Sequence, residues 1–507
     1  MQHAHESTTR ATTDATTNAT AAATTAATTA AITSRRRFLR HGATLAGALG
    51  TAGLGSLGNL LLAPRSAHAA DYKALVCIFL YGGNDGMNMI VPTDGSRYGQ
   101  YAGVRGNLAI PKASLAPLAG VNFGLHPALS ALSGAWNAGA LAPVFNVGPL
   151  HQPLTKSQYR AAAANSLTVP SSLFSHSDQQ ILWETGTTDS LTRTGWGGRA
   201  SEALATANPV ISLAGSTRFG LTEMQSALVL PGPGSTFGAY GLQPSDMSWA
   251  PNALRKSAID SLYAANQNVD LAGAYVAAQN NAFAMSARLG SLVKMQPGDP
   301  AGSAAIDSAF APITANGAIT TPLGQQLYQI AKLVAGNATA QGNRQVFFAS
   351  MGGFDTHGNQ VVTGSPTEGD HAKLLKQVGD ALAAFTNAMK NLGLDKAVTA
   401  FTQSDFGRTF APNSSGGTDH AWGNQHLVIG GAVKGGATYG SYPELVLGGA
   451  NDVGQDSWEL QGRWIPTTSV DQYAATLLGW FGATDPQLDT VLPNLRNFGT
   501  ARRLGFL

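Results

Sequence analysis

Acidic and histidine side chains follow three apolar runs of the sequence, close to the point where each run ends. In chain order these are Asp85 after ALVCIFLY (74–81), Asp355 and His357 after RQVFFASM (344–351), and Asp405 after KAVTAFTQ (396–403). Carboxylates that lie close together repel one another and raise one another's pKa, unless a cation lies between them. Aspartate and histidine are ordinary ligands of zinc, manganese and iron. The pattern therefore predicts a metal site, provided that the three runs end side by side.

One loop after the third run is rich in groups that bind cations or anions. It reads SDFGRTFAPNSSGGTDHAWGNQH, from Ser404 to His426. Asp419 and His420 add two candidate metal ligands, and Arg408 could bind a non-bridging oxygen of a substrate. Two metal ions about 3.5–4 Å apart would form a clamp for phosphoryl-type chemistry. Each residue alone could equally stabilise a turn, but their joint placement favours a metal site.

The apolar runs are typical of strands, and the segments between them are typical of helices. Further strand-like runs are 141–148, 208–215 and 426–433. Stretches with apolar residues every three or four positions are clearest at 126–139, 253–268, 274–293, 322–336 and 371–393. Buried strands that alternate with helices predict an α/β fold with a mostly parallel sheet covered on both faces. Because the carboxyl ends of parallel strands share one edge, the polar residues that follow them would converge there.

The segment SSLFSHSDQQILWE (171–184) has the pattern of a helix start. Ser175 would be the N-cap, with Asp178 at the N3 position of a capping box. A hydroxyl at a helix N-terminus faces backbone N–H groups, which suits an attacking oxygen beside a bound oxyanion. Ser175 or Ser177 would be the nucleophile, and a plain N-cap is the structural alternative. His176 could ligate a metal.

Four further residues are candidates for lining the site. They are Asn84, His426, His126 and His151, of which the last two lie at expected loop-to-helix junctions. His426 begins an apolar run, so a core histidine is the alternative interpretation. The single cysteine, Cys77, excludes an intrachain disulfide and a cysteine-based zinc cluster. Its apolar neighbours predict a small buried hydrophobe.

Composition limits the classes of function and the number of domains. The 507 residues are 44% hydrophobic, and the net charge is +2. A nucleic-acid-binding protein would need a clustered basic face, which is absent from the sequence. Residues 70–507 are expected to form one α/β domain, which could include an inserted cap over about 214–300. No run of about 18 apolar residues follows the N-terminal region, so the mature chain is expected to lack a membrane span.

Residues 1–69 predict an export signal. Residues 7–33 are mostly Thr and Ala and are expected to be disordered. The basic motif SRRRFLR (34–40) precedes a Gly-rich, weakly hydrophobic run, and an A-x-A-like cleavage site ends at Ala69. The motif resembles a twin-arginine signal. It predicts export by the twin-arginine machinery to the periplasm or the extracellular space, with a single membrane anchor as the alternative.

Several motifs between residues 75 and 440 resemble those of one bacterial family. They are YGGNDGMNMIVP, SHSDQQ, GGFDTHGNQ, SDFGRTFAPN and GTDHAWGNQHLVIGGAVKGG. The sequence resembles domain-of-unknown-function family 1501, which is placed in the alkaline phosphatase-like, sulfatase-like superfamily. The resemblance implies a three-layer α/β/α sandwich, metal ligands at strand ends and a hydroxyl nucleophile at a helix N-terminus.

The resemblance also implies roles for individual residues. Those that match are Asp85, Asp355, His357, Asp405 and His420 as metal ligands and Ser175 as nucleophile. Two departures stand out. The usual Asp-His-Gly reads Asp405-Phe406-Gly407, and His357 follows Asp355 by two residues rather than four. A histidine from elsewhere would have to compensate, and the candidates are His420, His426 and His176.

Together these observations predict a metal-dependent hydrolase of phosphate or sulfate esters. Its substrate would be a small-molecule or polymer-borne anionic ester, and its cofactor one or two divalent ions, with Zn²⁺, Mn²⁺ and Mg²⁺ as candidates. The expected metal ligands are Asp85, Asp355, His357, Asp405, Asp419 and His420. The alternative is a non-catalytic binding or secretion-associated protein that keeps a metal site for stability. An esterase of another class is disfavoured because the sequence has no G-x-S-x-G motif.

Overall fold

The computed structural model describes residues 71–162, 166, 168–266 and 270–507. The predicted export signal, residues 1–69, lies outside the described residues. The described chain divides into two compact units. One consists of the described residues within 255–281 and is helical, and the other contains the described residues of 71–254 and 282–507. All site residues predicted from the sequence belong to the larger unit.

The strands alternate with helices along the chain. In the described residues the strands are β1 (Lys73–Leu80), β2 (Ile90–Pro92), β3 (Ala116–Pro117), β4 (Phe123–Leu125), β5 (Leu141–Gly148), β6 (Ile211–Ser212), β7 (Leu228–Val229), β8 (Thr314–Ala315), β9 (Ala318–Ile319), β10 (Arg344–Met351), β11 (Val398–Ser404), β12 (Asn424–Ile429), β13 (Tyr439–Gly440) and β14 (Thr468–Ser469). The α-helices of the same residues are α1 (Gly86–Met89), α2 (Gly95–Arg105), α3 (Ser133–Asn137), α4 (Lys156–Ala161), α5 (His176–Thr185), α6 (Trp196–Ala203), α7 (Ala250–Asn266), α8 (Asp270–Lys294), α9 (Ala304–Phe310), α10 (Pro322–Ala335), α11 (Asn337–Ala340), α12 (Asp370–Asn391), α13 (Val470–Phe481) and α14 (Asp485–Val491).

The main sheet has three long parallel strands at its centre. Its order is β13-β5-β12-β11-β1-β10-β6-β7, with β14 also paired to β5. β1 lies between β10 and β11 and is parallel to both, and Leu80 is level with Met351 on one side and Ser404 on the other. The three strands therefore end together at one edge. β12 differs, because it runs antiparallel to both β11 and β5.

The central strand separates two hydrophobic cores. Alternate residues of a strand point to opposite faces. On one face Val76 and Ile78 of β1 share a core with residues of α10 and α12. On the other face Cys77 and Phe79 share a core with residues of α13. Cys77 is fully buried, as predicted, and burial raises the pKa of its thiol.

The predicted mixed α/β class with a large, mostly parallel sheet is confirmed. The runs 141–148 and 344–351 are strands over their whole length. The run 208–215 forms only the two-residue strand β6, and 126–139 forms a 3₁₀-helix (Pro127–Leu132) followed by the short α3. Apolar composition thus located the elements better than it fixed their lengths.

The region around 214–300 was considered as an inserted cap. Residues 255–281 belong to the smaller unit, whereas Leu289, Leu292 and Val293 at the end of α8 pack into the core of the larger unit. Among the described residues, no helix combines the length and the apolar character needed to cross a bilayer.

Candidate metal centre

Two loops and one helix N-terminus bring polar side chains to the carboxyl edge of the central strands. Asp355 and His357 follow β10, and Asp405 follows β11. Because β12 is antiparallel to β11, the loop between them begins and ends at this edge, and it carries Asp419 and His420 there. The third contribution comes from the N-terminus of α5, whose first residue is His176.

Three imidazoles converge on one carboxylate oxygen. The Oδ1 atom of Asp355 lies 3.3 Å from Nε2 of His176, 3.1 Å from Nε2 of His357 and 3.4 Å from Nε2 of His420. The Nε2 atoms of His357 and His420 are 2.9 Å apart. We call these four residues the His₃Asp cluster. The side chains of Asp355 and His357 are 47% and 46% exposed, so the cluster is open to solvent.

The other ring nitrogen of each histidine is held by an acceptor. Nδ1 of His176 lies 2.7 Å from Oδ2 of Asp405, and Nδ1 of His357 lies 2.8 Å from Oδ1 of Asp419. Nδ1 of His420 lies 2.7 Å from the carbonyl oxygen of Phe174. Carboxylate and carbonyl oxygens accept hydrogen bonds, so each Nδ1 carries the proton. In the neutral rings the Nε2 lone pairs are then directed towards the shared position, the arrangement that metal-ligating histidines adopt.

The surroundings of His176, His420 and Asp355 shift the pKa values of these three groups in different directions. The hydrogen bond to Asp405 raises the pKa of His176, whereas burial lowers the pKa of His420. Burial alone would raise the pKa of the Asp355 carboxyl, but the hydrogen bond and charge of Arg408 outweigh it and lower that pKa. Asp355 is therefore held in its charged form, which suits a cation ligand.

The ligand atoms of His176, Asp355 and His420 all lie within 4.8 Å of one another, close enough to hold one metal ion. Bonds of about 2.0–2.2 Å to nitrogen and oxygen give a tetrahedron with edges of about 3.3–3.6 Å. The three contacts to Asp355 Oδ1, at 3.1–3.4 Å, are close to that range, and the contact between His357 and His420 is shorter. Nε2 of His176 is buried and has no hydrogen-bond partner. A cation at the shared position would satisfy it, so the residues fit a bound metal.

Asp405 and Asp419 lie behind the histidines and were expected to be ligands themselves. Asp405 is fully buried, and its oxygens also accept hydrogen bonds from the backbone N–H of Gly82 and from Nε2 of Gln180. Oδ1 of Asp419 also accepts a hydrogen bond from Nδ2 of Asn413. Both carboxylates contact Nδ1 atoms on the far side of the rings, so the structure places them in support of His176 and His357.

Arg408 is buried among the loops of the centre. Its guanidinium donates hydrogen bonds to the carbonyl oxygens of Gly82, Gly83, Phe354 and Thr418 and to Oδ1 of Asp355. The sequence suggested that this side chain binds substrate. Here it connects the loops after β1, β10 and β11 and positions Asp355.

Asp85 lies after β1, as expected, but apart from the His₃Asp cluster. It is fully buried and forms an ion pair with Arg105, with 2.6 Å between Oδ1 and Nη2. Oδ2 accepts a hydrogen bond from Gln360, and Oδ1 accepts from the first turn of α1. The neighbouring Asn84 is also buried and contacts Nε2 of His371. These contacts organise the loop after β1.

Ser175 is the residue before α5, as the sequence predicts, but its hydroxyl makes no capping hydrogen bond. Instead Oγ lies 2.7 Å from Oδ2 of Asp178 and 3.2 Å from Oγ of Ser177. Phe174, immediately before it, has φ +74°, a strained conformation for a bulky residue. That strain lies at the residue whose carbonyl oxygen holds His420.

The remaining candidate histidines lie elsewhere in the fold. His426 lies within β12, buried against Trp183 and Tyr473. His126 caps the 3₁₀-helix that follows it, and His151 contacts Asn494. The structure therefore supports the interpretation of His426 as a buried core histidine.

Two supporting residues escaped the sequence analysis. Gln180 is one turn beyond His176 on α5, so both side chains reach Asp405 from the same face of the helix. That i, i+4 spacing within SHSDQQ was the available signal. Asn413, which donates to both Asp419 and the carbonyl oxygen of His357, gave no comparable signal, since it lies in an irregular loop.

Gly82 offers a test of how closely these loops approach. It has φ +112°, and a Cβ atom there would overlap the backbone of Phe354 and Asp355. We expect Gly82→Ala to lower the free energy of unfolding by about 2–3 kcal/mol. The cost of a positive φ at a residue with a Cβ atom adds to the cost of the steric overlap. Urea unfolding measures the change, with Gly352→Ala as control, since no atom lies within 4 Å of a Cβ there. Equal stability of the two variants would contradict the close approach.

Comparison with known proteins identifies the family of the chain. No curated protein matches the chain. The family model described as "Protein of unknown function (DUF1501)" matches residues 72–453, a range that includes the whole His₃Asp cluster and its supporting carboxylates. This range is more than half of the chain, so the protein belongs to the DUF1501 family.

Proposed function

We propose that the protein is a metal-dependent hydrolase of phosphate or sulfate esters. The observation that carries the proposal is the convergence of three Nε2 atoms on Asp355, with every Nδ1 atom anchored. His176, Asp355, His357 and His420 would hold the metal. A bound divalent metal ion would polarise an ester oxygen and stabilise negative charge that develops during hydrolysis.

The larger setting belongs to the same proposal. The fold would be the alkaline phosphatase-like three-layer sandwich, which the mostly parallel sheet and its two cores support. The location would be the periplasm or the extracellular space, which the motif SRRRFLR and the cleavage-like site at Ala69 support. The substrate would be an anionic ester, either a small molecule or part of a polymer.

Ser175 would supply the attacking oxygen. Its hydroxyl is not used to cap α5, and it donates towards Asp178, which could accept its proton. Attack on phosphorus or sulfur would form the Ser175 ester and release the alcohol, which takes up a proton. Water would then hydrolyse that ester, regenerating the serine and releasing phosphate or sulfate. Ser175 directly precedes His176, so the nucleophile and the metal ligand are neighbours in the chain.

The test separates the nucleophile from the metal ligand. We expect Ser175→Ala to reduce hydrolysis of an ester panel by at least about 10³-fold while the metal content stays unchanged. His176→Ala should lose both metal and activity. Metal content by mass spectrometry and initial rates on phosphate, phosphodiester and sulfate esters measure the two effects.

Three results would count against the proposal or part of it. Full activity of Ser175→Ala would remove the serine from the mechanism. A metal-loaded wild type that cleaves none of the esters would favour the alternative, a non-catalytic metal-stabilised protein. A folded wild type that takes up no metal would overturn the centre itself.

A further inference from the structure

We infer that the centre holds one metal ion, of the zinc-like class, and that Asp405 and Asp419 are positioning residues rather than ligands of a second ion. The inference rests on the proposed metal centre and deepens it. The sequence left one or two ions open, and six residues were expected to bind them. The geometry divides those residues into separate groups.

A second ion would need carboxylate oxygens that are free to bind it. Oδ2 of Asp405 already accepts hydrogen bonds from His176, Gln180 and Gly82, and Oδ1 accepts from Gly82. Asp405 is also fully buried, so no solvent-facing side remains. A cation at Asp405 would have to displace three donors.

Asp85 is equally committed. Its counter-ion is the buried Arg105, and Gln360 and two backbone N–H groups complete its hydrogen bonds. Asp419 then remains, with one oxygen already held by His357 and Asn413. One half-buried carboxylate does not make a site for a doubly charged ion.

Charge gives a separate reason. The guanidinium of Arg408 contacts Oδ1 of Asp355, the same atom on which the three imidazoles converge. A fixed positive charge therefore already lies beside the centre. A second metal ion next to Asp355 would be repelled by the first ion and by Arg408.

The donor set selects the kind of metal. Three imidazole nitrogens and one carboxylate oxygen suit Zn²⁺ and other late first-row ions. Mg²⁺ and Ca²⁺ prefer six or more oxygen ligands, which the His₃Asp cluster does not offer. The cluster should therefore bind Zn²⁺ or Co²⁺ and should not retain Mg²⁺ at equal concentration.

Asp405 and Asp419 act on the metal through the rings that they hold. A hydrogen bond from Nδ1 to a carboxylate fixes the tautomer and the direction of Nε2. Loss of such a partner typically weakens metal binding about 10- to 100-fold without removing a ligand. Loss of a ligand itself should have a larger effect and should change the coordination of the ion.

The experiment is a titration of chelator-treated full-length protein with Co²⁺, followed by its visible absorption and checked by metal analysis. We expect one Co²⁺ per chain, with the intense bands of a four- or five-coordinate site, and no competition from equimolar Mg²⁺. Asp405→Asn and Asp419→Asn should keep one ion, with affinity reduced about 10- to 100-fold. His357→Ala should lose the intense bands, and His151→Ala, outside the cluster, should behave as wild type.

The possible failures are distinguishable. Two tightly bound ions per chain, reduced to one in Asp405→Asn or Asp419→Asn, would overturn the inference and leave the metal centre standing. A single ion that survives His357→Ala with unchanged bands would do the same. Folded wild type, verified by circular dichroism, that binds no Co²⁺ or Zn²⁺ would overturn both the inference and the proposed function.

Discussion

Acidification from pH 6.5 to 4.5 is expected to lower the free energy of unfolding by on the order of 4 kcal/mol. The reason is that burial lowers the pKa of His126 to about 3, of His371 to about 4 and of His426 to about 3. Below pH 6.5 these imidazoles bind protons in the unfolded chain but stay neutral in the folded chain. The free energy of unfolding therefore decreases as the pH falls. Asp471 opposes the trend, because burial raises its pKa to about 7 and the folded state holds its proton.

Urea unfolding in the presence of a chelator, at several pH values, measures this loss. His426→Phe provides the internal comparison, because His426 packs against the rings of Trp183 and Tyr473, where a phenyl ring can stack. Below pH 6 the free energy of unfolding of the variant should fall by about 1.4 kcal/mol less per pH unit than that of the wild type, which is the effect of one proton. Identical slopes for the two proteins would show that His426 does not remain neutral in the fold.

Replacement of Asp85 by Asn is expected to lower the free energy of unfolding by about 3–5 kcal/mol. Asp85 and Arg105 are both fully buried, so the substitution leaves a guanidinium charge in the interior without its counter-ion. Arg105→Met should lower the free energy of unfolding by a similar amount, because it leaves the buried Asp85 carboxylate without its counter-ion. The double variant should be more stable than the sum of the single changes predicts, since neither charge then remains.

The control for Asp85 is Asp94, which also precedes a helix and also pairs with an arginine. The Asp94–Arg97 pair is about one-third exposed, so Asp94→Asn should cost no more than about 1 kcal/mol. Metal binding separates the two roles considered for Asp85. An Asp85→Asn variant with wild-type stability and no metal would return Asp85 to the list of ligands.

The central strands were predictable because each is a nearly continuous apolar run. A strand buried on both faces needs apolar side chains at every position, and β1, β5 and β10 meet that condition along most of their length. The antiparallel direction of β12 was not predictable, since an apolar run has the same composition in either direction. The shortness of β6 has a related cause, because it lies near the edge of the sheet and pairs over only two residues.

For the candidate site, the sequence predicted which residues lie at the ends of the strands. It did not predict the directions in which their side chains point. The carboxyl ends of β10 and β11 brought Asp355, His357 and Asp405 together, as the pattern predicted. Which of them faces the shared position depends on partners far away in the sequence. His176 and Asp405 are 229 residues apart, and only the folded chain shows that one orients the other. Asp85 likewise meets Arg105, a partner that strand ends do not reveal.

The place of β1 in the sheet determines when the sheet can assemble. Both neighbours of β1 come from residues 344–404, so the edge facing β10 stays unpaired until about 270 further residues have been made, and both edges are paired only after about 320. At synthesis rates of about 5–20 residues per second, this interval lasts roughly 15–65 s. During that time the run ALVCIFLY is an exposed apolar segment with free edges, which favours aggregation. Folding in the cell should therefore depend on a chaperone that shields the first strand until the chain is complete.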